Sequence, residues 1–349
     1  MIKLKLEFSL LLLLSAFSVF GQDELPCNIQ PSDGPGSSNY AYEKVKMLDF
    51  ATLVEGAWVM YPEETQEKEL NLIVFVHGYG AINPMIFGAW IKHLVRNGNV
   101  VVYPRYQKTL INPFPTLFAE YVAKGINIGI DSFQLQTGIE LNLENVSFIG
   151  HSYGGAIVTY LANYYEKYEI PKPKSLFACE PGTGPFNDAK LRSYRELEED
   201  IQLLVMVGNE DLTVGDELGL RIYLSSKQLK RRNFIRQYSD VFEDNIISSS
   251  HYEPYALDME FDTGDRNFTA ERALKVGKLD AIDYYGYWKL YDSLLDCSRN
   301  NQNCGIAFGD TDAQKYLGHW NDQIPVRPLS VYDPSSKPME MEDADFSEE

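Results

Sequence analysis

The sequence predicts a doubly wound α/β domain, a mostly parallel sheet with helices on both faces. Three observations carry this expectation. Short runs of β-branched and apolar residues alternate with longer segments of helical spacing, the arrangement that covers both faces of a parallel sheet. The runs are nearly continuous in their hydrophobicity, as strands buried on both sides must be. No repeat of about 20–50 residues and no long low-complexity tract interrupts the scheme, which excludes solenoids and fibres.

Residues 22–39 are rich in Pro, Gly, Ser and acidic side chains and read as a leader or loop. Val45–Phe50 and Ala57–Tyr61 are short enough for antiparallel edge strands. Leu70–His77 is the first buried strand, and Phe87–Arg96 follows as a helix with Trp90, Ile91, Leu94 and Val95 near one face. Val100–Tyr103 is a strand closed by Pro104, and a helix is expected within Thr116–Leu135 despite Gly125 and Gly129. Then come strand Val146–Ile149, helix Tyr153–Lys167, strand Lys174–Cys179 and strand Leu203–Val207. Helix Glu217–Leu229, a last core strand Asn233–Tyr238 and one long helix within Thr269–Leu295 complete the order. The expected domain spans residues 40–298, a C-terminal extension over 299–337 packs on it, and 338–349 form an acidic disordered tail. Between Cys179 and Leu203 the chain is too short for a cap of several helices, so the site should be open.

The formal net charge of −19, from 50 acidic and 31 basic residues, disfavours a nucleic-acid partner, because such binding depends on lysine and arginine. Lys3 and Lys5, the apolar run Phe8–Phe20 and the small Gly21 read as a signal peptide over residues 1–21. The run is short for a spanning helix, and Pro26 before Cys27 does not suit a lipoprotein signal. The expectation is a secreted or periplasmic protein with no stable membrane span after cleavage. Of the four cysteines, Cys297 and Cys304 flank a polar loop and are the easiest to join; Cys27 and Cys179 are left open. No Cys/His spacing resembles a metal site, and no cofactor is implied.

The chemistry centres on Gly150-His151-Ser152-Tyr153-Gly154 and Gly155. A G-x-S-x-G is weak alone, but this one lies where a strand ends and a helix begins. There the glycines permit a tight turn that lifts the serine hydroxyl above the sheet. Upstream, His77-Gly78-Tyr79-Gly80 closes an earlier strand. Acyl transfer needs two backbone N–H groups facing the oxyanion, and Tyr153 and Tyr79 are the candidates. His77 reads as a residue that steadies this loop, and His93 as an ordinary surface or packing residue near Trp90.

The strand ending in HGYG, the helix with Trp90 and the elbow GHSYGG together resemble the α/β-hydrolases over about Leu70 to His251. Within them the sequence is most similar to secreted esterases of the chlorophyllase, polyester hydrolase and platelet-activating-factor acetylhydrolase groups. The resemblance implies a triad in the order Ser, acid, His. Gly208-Asn209-Glu210-Asp211-Leu212-Thr213-Val214 looks like the family's acid turn and makes Asp211 the acid, with Glu210 and Asp216 as competitors. His251, in a loop beyond the last core strand, is where the family carries its base, with His319 as the alternative. Tyr252 and Tyr255 are candidates for an aromatic substrate wall, beside Tyr79 and Tyr153, or else they pack loops. The expected activity is hydrolysis of a small or polymeric carboxylic ester. A lipase or peptidase on the same fold, or a non-catalytic binding module on a hydrolase scaffold, remains the alternative, and oligomeric state is open.

Overall fold

A computed structural model describes residues 25–333 apart from 109, 111–113 and 187. The expected signal peptide, residues 1–21, and the acidic tail, 338–349, lie outside these described residues. The strands are β1 (Val45–Asp49), β2 (Ala57–Pro62), β3 (Glu69–Val76), β4 (Asn99–Pro104), β5 (Glu140–His151), β6 (Ser175–Cys179), β7 (Gln202–Gly208) and β8 (Arg231–Gln237). A small hairpin, β9 (Asp240–Phe242) and β10 (Asn245–Ile247), follows, and β11 (Ser330–Val331) returns late in the chain. Nine of these form one sheet in the order β1-β2-β4-β3-β5-β6-β7-β8-β11. The run from β4 to β8 is parallel throughout, while β1, β2 and β11 join antiparallel at the edges.

Each parallel strand feeds both faces. In β3, Leu72, Val74 and Val76 enter one core while Ile73 and Phe75 enter the other, as the two-residue period of a strand dictates. Helices α1 (Gly88–Arg96), α2 (Phe118–Thr137), α3 (Tyr153–Asn163) and α4 (Glu217–Ser225) are followed by α5 (Phe268–Val276) and α6 (Lys289–Asn300). The cores divide between the two faces: α2 and α3 cover one, α1 and α6 the other. Gly125 and Gly129 do not break α2, because they face close neighbours. A Cβ on Gly125 would stand 2.7 Å from the Gly56 carbonyl oxygen. Between β6 and β7, among the described residues, there is no helix.

Two expectations need correction. The long helix foreseen within Thr269–Leu295 is broken. The helix α5 stops at Gly277, a poor helix former, and Asp280 then accepts from the Ile282 N–H at 3.0 Å, the bond of an N-cap. A π-helical stretch, Ile282–Trp288, leads from there into α6. Nor is Asn233–Tyr238 the last strand of the sheet, since Ser330 and Val331 pair with Arg236 and Ile235 of β8. Two residues carry no readable period.

Candidate active site

The C-terminal ends of the parallel strands hold the predicted residues. Ser152 stands between β5 and α3 with φ 56° and ψ −121°, a conformation few L-residues adopt. The turn closes only with glycine on either side. A Cβ on Gly150 would lie 2.3 Å from the Gly154 oxygen, and one on Gly154 would lie 2.0 Å from the Val76 oxygen. Sterics thus place the elbow against the end of β3, and Ser152 is only 7% exposed.

His251 is brought to it by the loop after β10. That loop crosses the end of β7 so closely that a Cβ on Gly208 would meet the Ser249 oxygen at 2.2 Å. The Glu210 N–H also donates to the Ser249 oxygen, at 3.2 Å. The result is a continuous chain: Ser152 Oγ lies 2.9 Å from His251 Nε2, and His251 Nδ1 lies 2.7 Å from Asp211 Oδ2. Asp211 Oδ1 accepts from the N–H groups of Thr213 (2.8 Å) and Val214 (3.0 Å). Burial alone would raise the Asp211 pKa. The bond and charge of His251, with the two backbone donors, outweigh it and hold the carboxyl below its ordinary value.

The competitors sit elsewhere. Glu210 accepts from Ser239 Oγ at 2.7 Å, Asp216 pairs with Arg236 at 2.5 Å, and His319 Nδ1 meets the Tyr316 hydroxyl at 3.0 Å. His151 supports the base from below. Its Nε2–H donates to the His251 carbonyl at 2.8 Å, and burial pushes its pKa down to about 3, so it stays neutral. His77 is likewise driven to about 3 by burial. Its ring stacks on Tyr106, with centroids 4.2 Å apart, and its Nδ1–H donates to the Gly78 oxygen at 2.7 Å. His93, read as a surface or packing residue, is buried.

The tyrosines divide. Tyr79 is half-buried against Phe186, and Tyr153 is buried with its hydroxyl on the Asp188 oxygen at 3.2 Å. Tyr153 is also the first residue of α3, where a helix has no internal acceptor for its N–H. Tyr252 is half-buried beside His251, whereas Tyr255 is buried edge-on to His151 and Phe87 and packs beneath the site. Leu212, beside Asp211, is 98% exposed.

Two features escaped sequence reasoning. Glu180, directly after β6, is wholly buried, bonded to the Tyr287 hydroxyl, and held well above its ordinary pKa, first by burial. Asn267 reaches back to the loop after β3 and caps α5. The cap was findable, because an asparagine just before an apolar helical run is a start signal. Cys297 and Cys304 are joined, while Cys27 and Cys179 are free and buried. Among the described residues no helix is long and apolar enough to cross a membrane, and no group of three His, Cys, Asp or Glu side chains is disposed to hold a metal.

A sequence model described as chlorophyllase matches residues 38–193, from just before β1 to beyond β6, a span that includes the elbow. No curated protein shows a significant match. A solved structure from a study of two fungal esterases of Rhizomucor miehei matches with a TM-score of 0.45 at 15% identity, covering 57% of this chain and 76% of that one. The mixed, mostly parallel sheet with helices on both faces is the α/β-hydrolase architecture, and across the elbow the chain is similar to the chlorophyllase family.

Proposed function

We propose that the protein is a serine carboxylic-ester hydrolase that works outside the cytoplasm. The observation that carries this reading is the unbroken Ser152–His251–Asp211 hydrogen-bond chain, with the serine on a strained elbow. Ser152 Oγ attacks the ester carbonyl and its proton passes to His251 Nε2. Asp211 keeps the opposite ring proton on Nδ1 and stabilises the imidazolium. The oxyanion is held by the N–H groups of Tyr79 and Tyr153. His251 then protonates the departing alcohol as its C–O bond breaks, leaving an acyl group on Ser152. Water then attacks the acyl carbon as His251 takes its proton, and that proton passes to Ser152 Oγ as the acyl C–O bond breaks and the acid leaves.

Leu212 and Tyr252 flank the acid and the base and supply apolar surface for the substrate. The N-terminal run over residues 1–21, together with the Cys297–Cys304 bond, supports an exported protein. A fluorophosphonate reagent tests the chemistry: it should modify wild type at one serine and leave Ser152→Ala untouched. Labelling that persists in Ser152→Ala would overturn the assignment.

A further inference from the structure

We propose that Asn267 and Thr269, at the head of α5, together with Gln107 form a clamp that aims the Tyr79 N–H at the oxyanion. The proposal rests on the serine-hydrolase reading and adds positioning residues to it. Its starting point is the planar trans peptide, in which the N–H and C=O point opposite ways. Whatever holds the carbonyl of a peptide therefore aims its N–H, and whatever holds the next peptide fixes the Tyr79 φ and ψ that join the two. The Gly78 oxygen, which shares a peptide with the Tyr79 N–H, accepts from His77 Nδ1 at 2.7 Å and from the Ala81 N–H at 3.0 Å.

The next peptide is held at both ends. The Tyr79 oxygen accepts from Thr269 Oγ1 at 3.3 Å, and the Gly80 N–H donates to Gln107 Oε1 at 2.7 Å. Beyond it, the Gly80 oxygen accepts from Asn267 Nδ2 at 2.8 Å. From the Gly78 oxygen to the Gly80 oxygen, the one polar backbone group with no partner among the described residues is the Tyr79 N–H. A loop that bonds every other group leaves this donor for a ligand. Unsatisfied backbone donors are otherwise rare in protein interiors.

The contact is close-fitting. Gly80 has φ +78°, and a Cβ there would stand 2.4 Å from Thr269 Oγ1. Asn267 has two functions at once, because its Oδ1 accepts from the Thr269 and Ala270 N–H groups as the cap of α5 while its Nδ2 holds the loop. The same helix reaches the base loop, with the Arg272 guanidinium 4.9 Å from the centre of the Tyr252 ring. One element thus braces both the oxyanion loop and the residue after His251. Donors fixed in advance stabilise a developing charge without reorganising, and that is what a clamp supplies.

The test uses the full chain, p-nitrophenyl butyrate as the ester, and phenylboronic acid as a probe that forms a tetrahedral adduct on the serine. Asn267→Asp keeps the helix cap but sets an oxygen against the Gly80 carbonyl. Thr269→Val removes one hydroxyl, and Thr269→Ser retains it. Losing an oxyanion donor outright costs about a hundredfold to a thousandfold in kcat, so misaiming one should cost less. The expected losses in kcat are about thirtyfold for Asn267→Asp and about tenfold for Thr269→Val, below that scale. KM should stay near its wild-type value, boronate affinity should fall in parallel with kcat, and Thr269→Ser should return most of the rate. The clamp is overturned if kcat is unchanged in both variants, if only KM moves, or if Thr269→Ser loses as much as Thr269→Val. Should Asn267→Asp fail to fold, the Thr269 pair decides alone. A wild type that takes up no fluorophosphonate overturns the hydrolase reading itself, and the clamp falls with it.

Discussion

Among the described residues two buried histidines each pair with an aspartate, and they differ in what lies beyond the histidine. His251 and Asp211 are 2.7 Å apart; His93 and Asp292 are 2.9 Å apart. Each ring leans on another aromatic ring, His251 on His151 at 4.7 Å and His93 on Trp288 at 4.6 Å. The second nitrogen separates them. His251 Nε2 faces the hydroxyl of Ser152, at the strand ends where the chain turns. His93 Nδ1 faces the hydroxyl of Tyr40 at 3.1 Å, inside the packing of α1 against α6. A carboxylate behind an imidazole is therefore a general way to bury a histidine. On the function proposed above, it serves chemistry only where the far nitrogen meets a nucleophile at the strand ends.

The largest effects should come from swapping the two histidines' fates. His251→Ala should lower kcat/KM by a factor on the order of 10⁵ or more and abolish fluorophosphonate labelling, with the fold intact. His93→Ala should leave kcat per folded molecule near wild type. It empties a packed site and takes one partner from Asp292, and should cost about 3 kcal/mol of stability, read by urea denaturation. His319→Ala should move neither quantity much. If His93→Ala and His251→Ala behave alike, the distinction drawn between the pairs is wrong.

The acids should divide in the same way. In Asp211→Asn, the amide can donate to His251 Nδ1 and favour the wrong tautomer, for which a fall in kcat of about 10⁴ is the expected scale. In Asp292→Asn, the acceptor for the Gly36 N–H (2.8 Å) loses its charge while no reacting group is touched. The measurable effect should be a stability loss of about 1 kcal/mol with kcat unchanged. The helix that carries Asp292 also carries Cys297, half of the disulfide. Cys304→Ser opens a loop of about eight residues, worth roughly 2.5 kcal/mol in the chain-entropy model. Its melting temperature should drop while its labelling rate holds; a slower labelling rate would tie this remote end of α6 to the site.

The legibility of the two pairs in the sequence follows from how local their signals are. The elbow is written in five consecutive residues, because two close backbone approaches there demand glycine at Gly150 and Gly154. The acid turn is nearly as local, with Asp211 accepting from the N–H groups two and three residues ahead. His93 could only be read as a residue near Trp90, since its partners Tyr40 and Asp292 lie 53 and 199 positions away. Asn267 bonds Gly80 across 187 positions. Contacts of that range leave no period or spacing to read. The break between α5 and α6 was missed for a related reason. The apolar pattern runs on through Ile282–Trp288, and only the carboxylate of Asp280 marks the restart.

A third acid, wholly buried, has no histidine at all. Glu180 follows β6, bonds the Tyr287 hydroxyl through Oε1, and leaves Oε2 without a hydrogen-bond partner. With a cation-forming partner Asp211 is held below its ordinary pKa; with only a tyrosine, burial holds Glu180 well above its own. The two shifts act on stability with opposite signs. Asp211 contributes stability above the unfolded carboxylate value, about 3.9, and loses it as pH falls through its lower folded value. In the unfolded chain Glu180 ionises near 4.3, whereas in the fold burial keeps its proton to higher pH, so it removes stability as pH rises from there toward its folded pKa. Glu180→Gln keeps an oxygen for Tyr287 and cannot ionise. It should melt within about a degree of wild type at pH 4 and higher by on the order of 3 °C at pH 8, a gap corresponding to roughly 1 kcal/mol. Scanning calorimetry across that range reads the gap directly. A gap independent of pH would mean that Glu180 is charged in the fold, and that a buried carboxylate here needs no histidine to stay ionised.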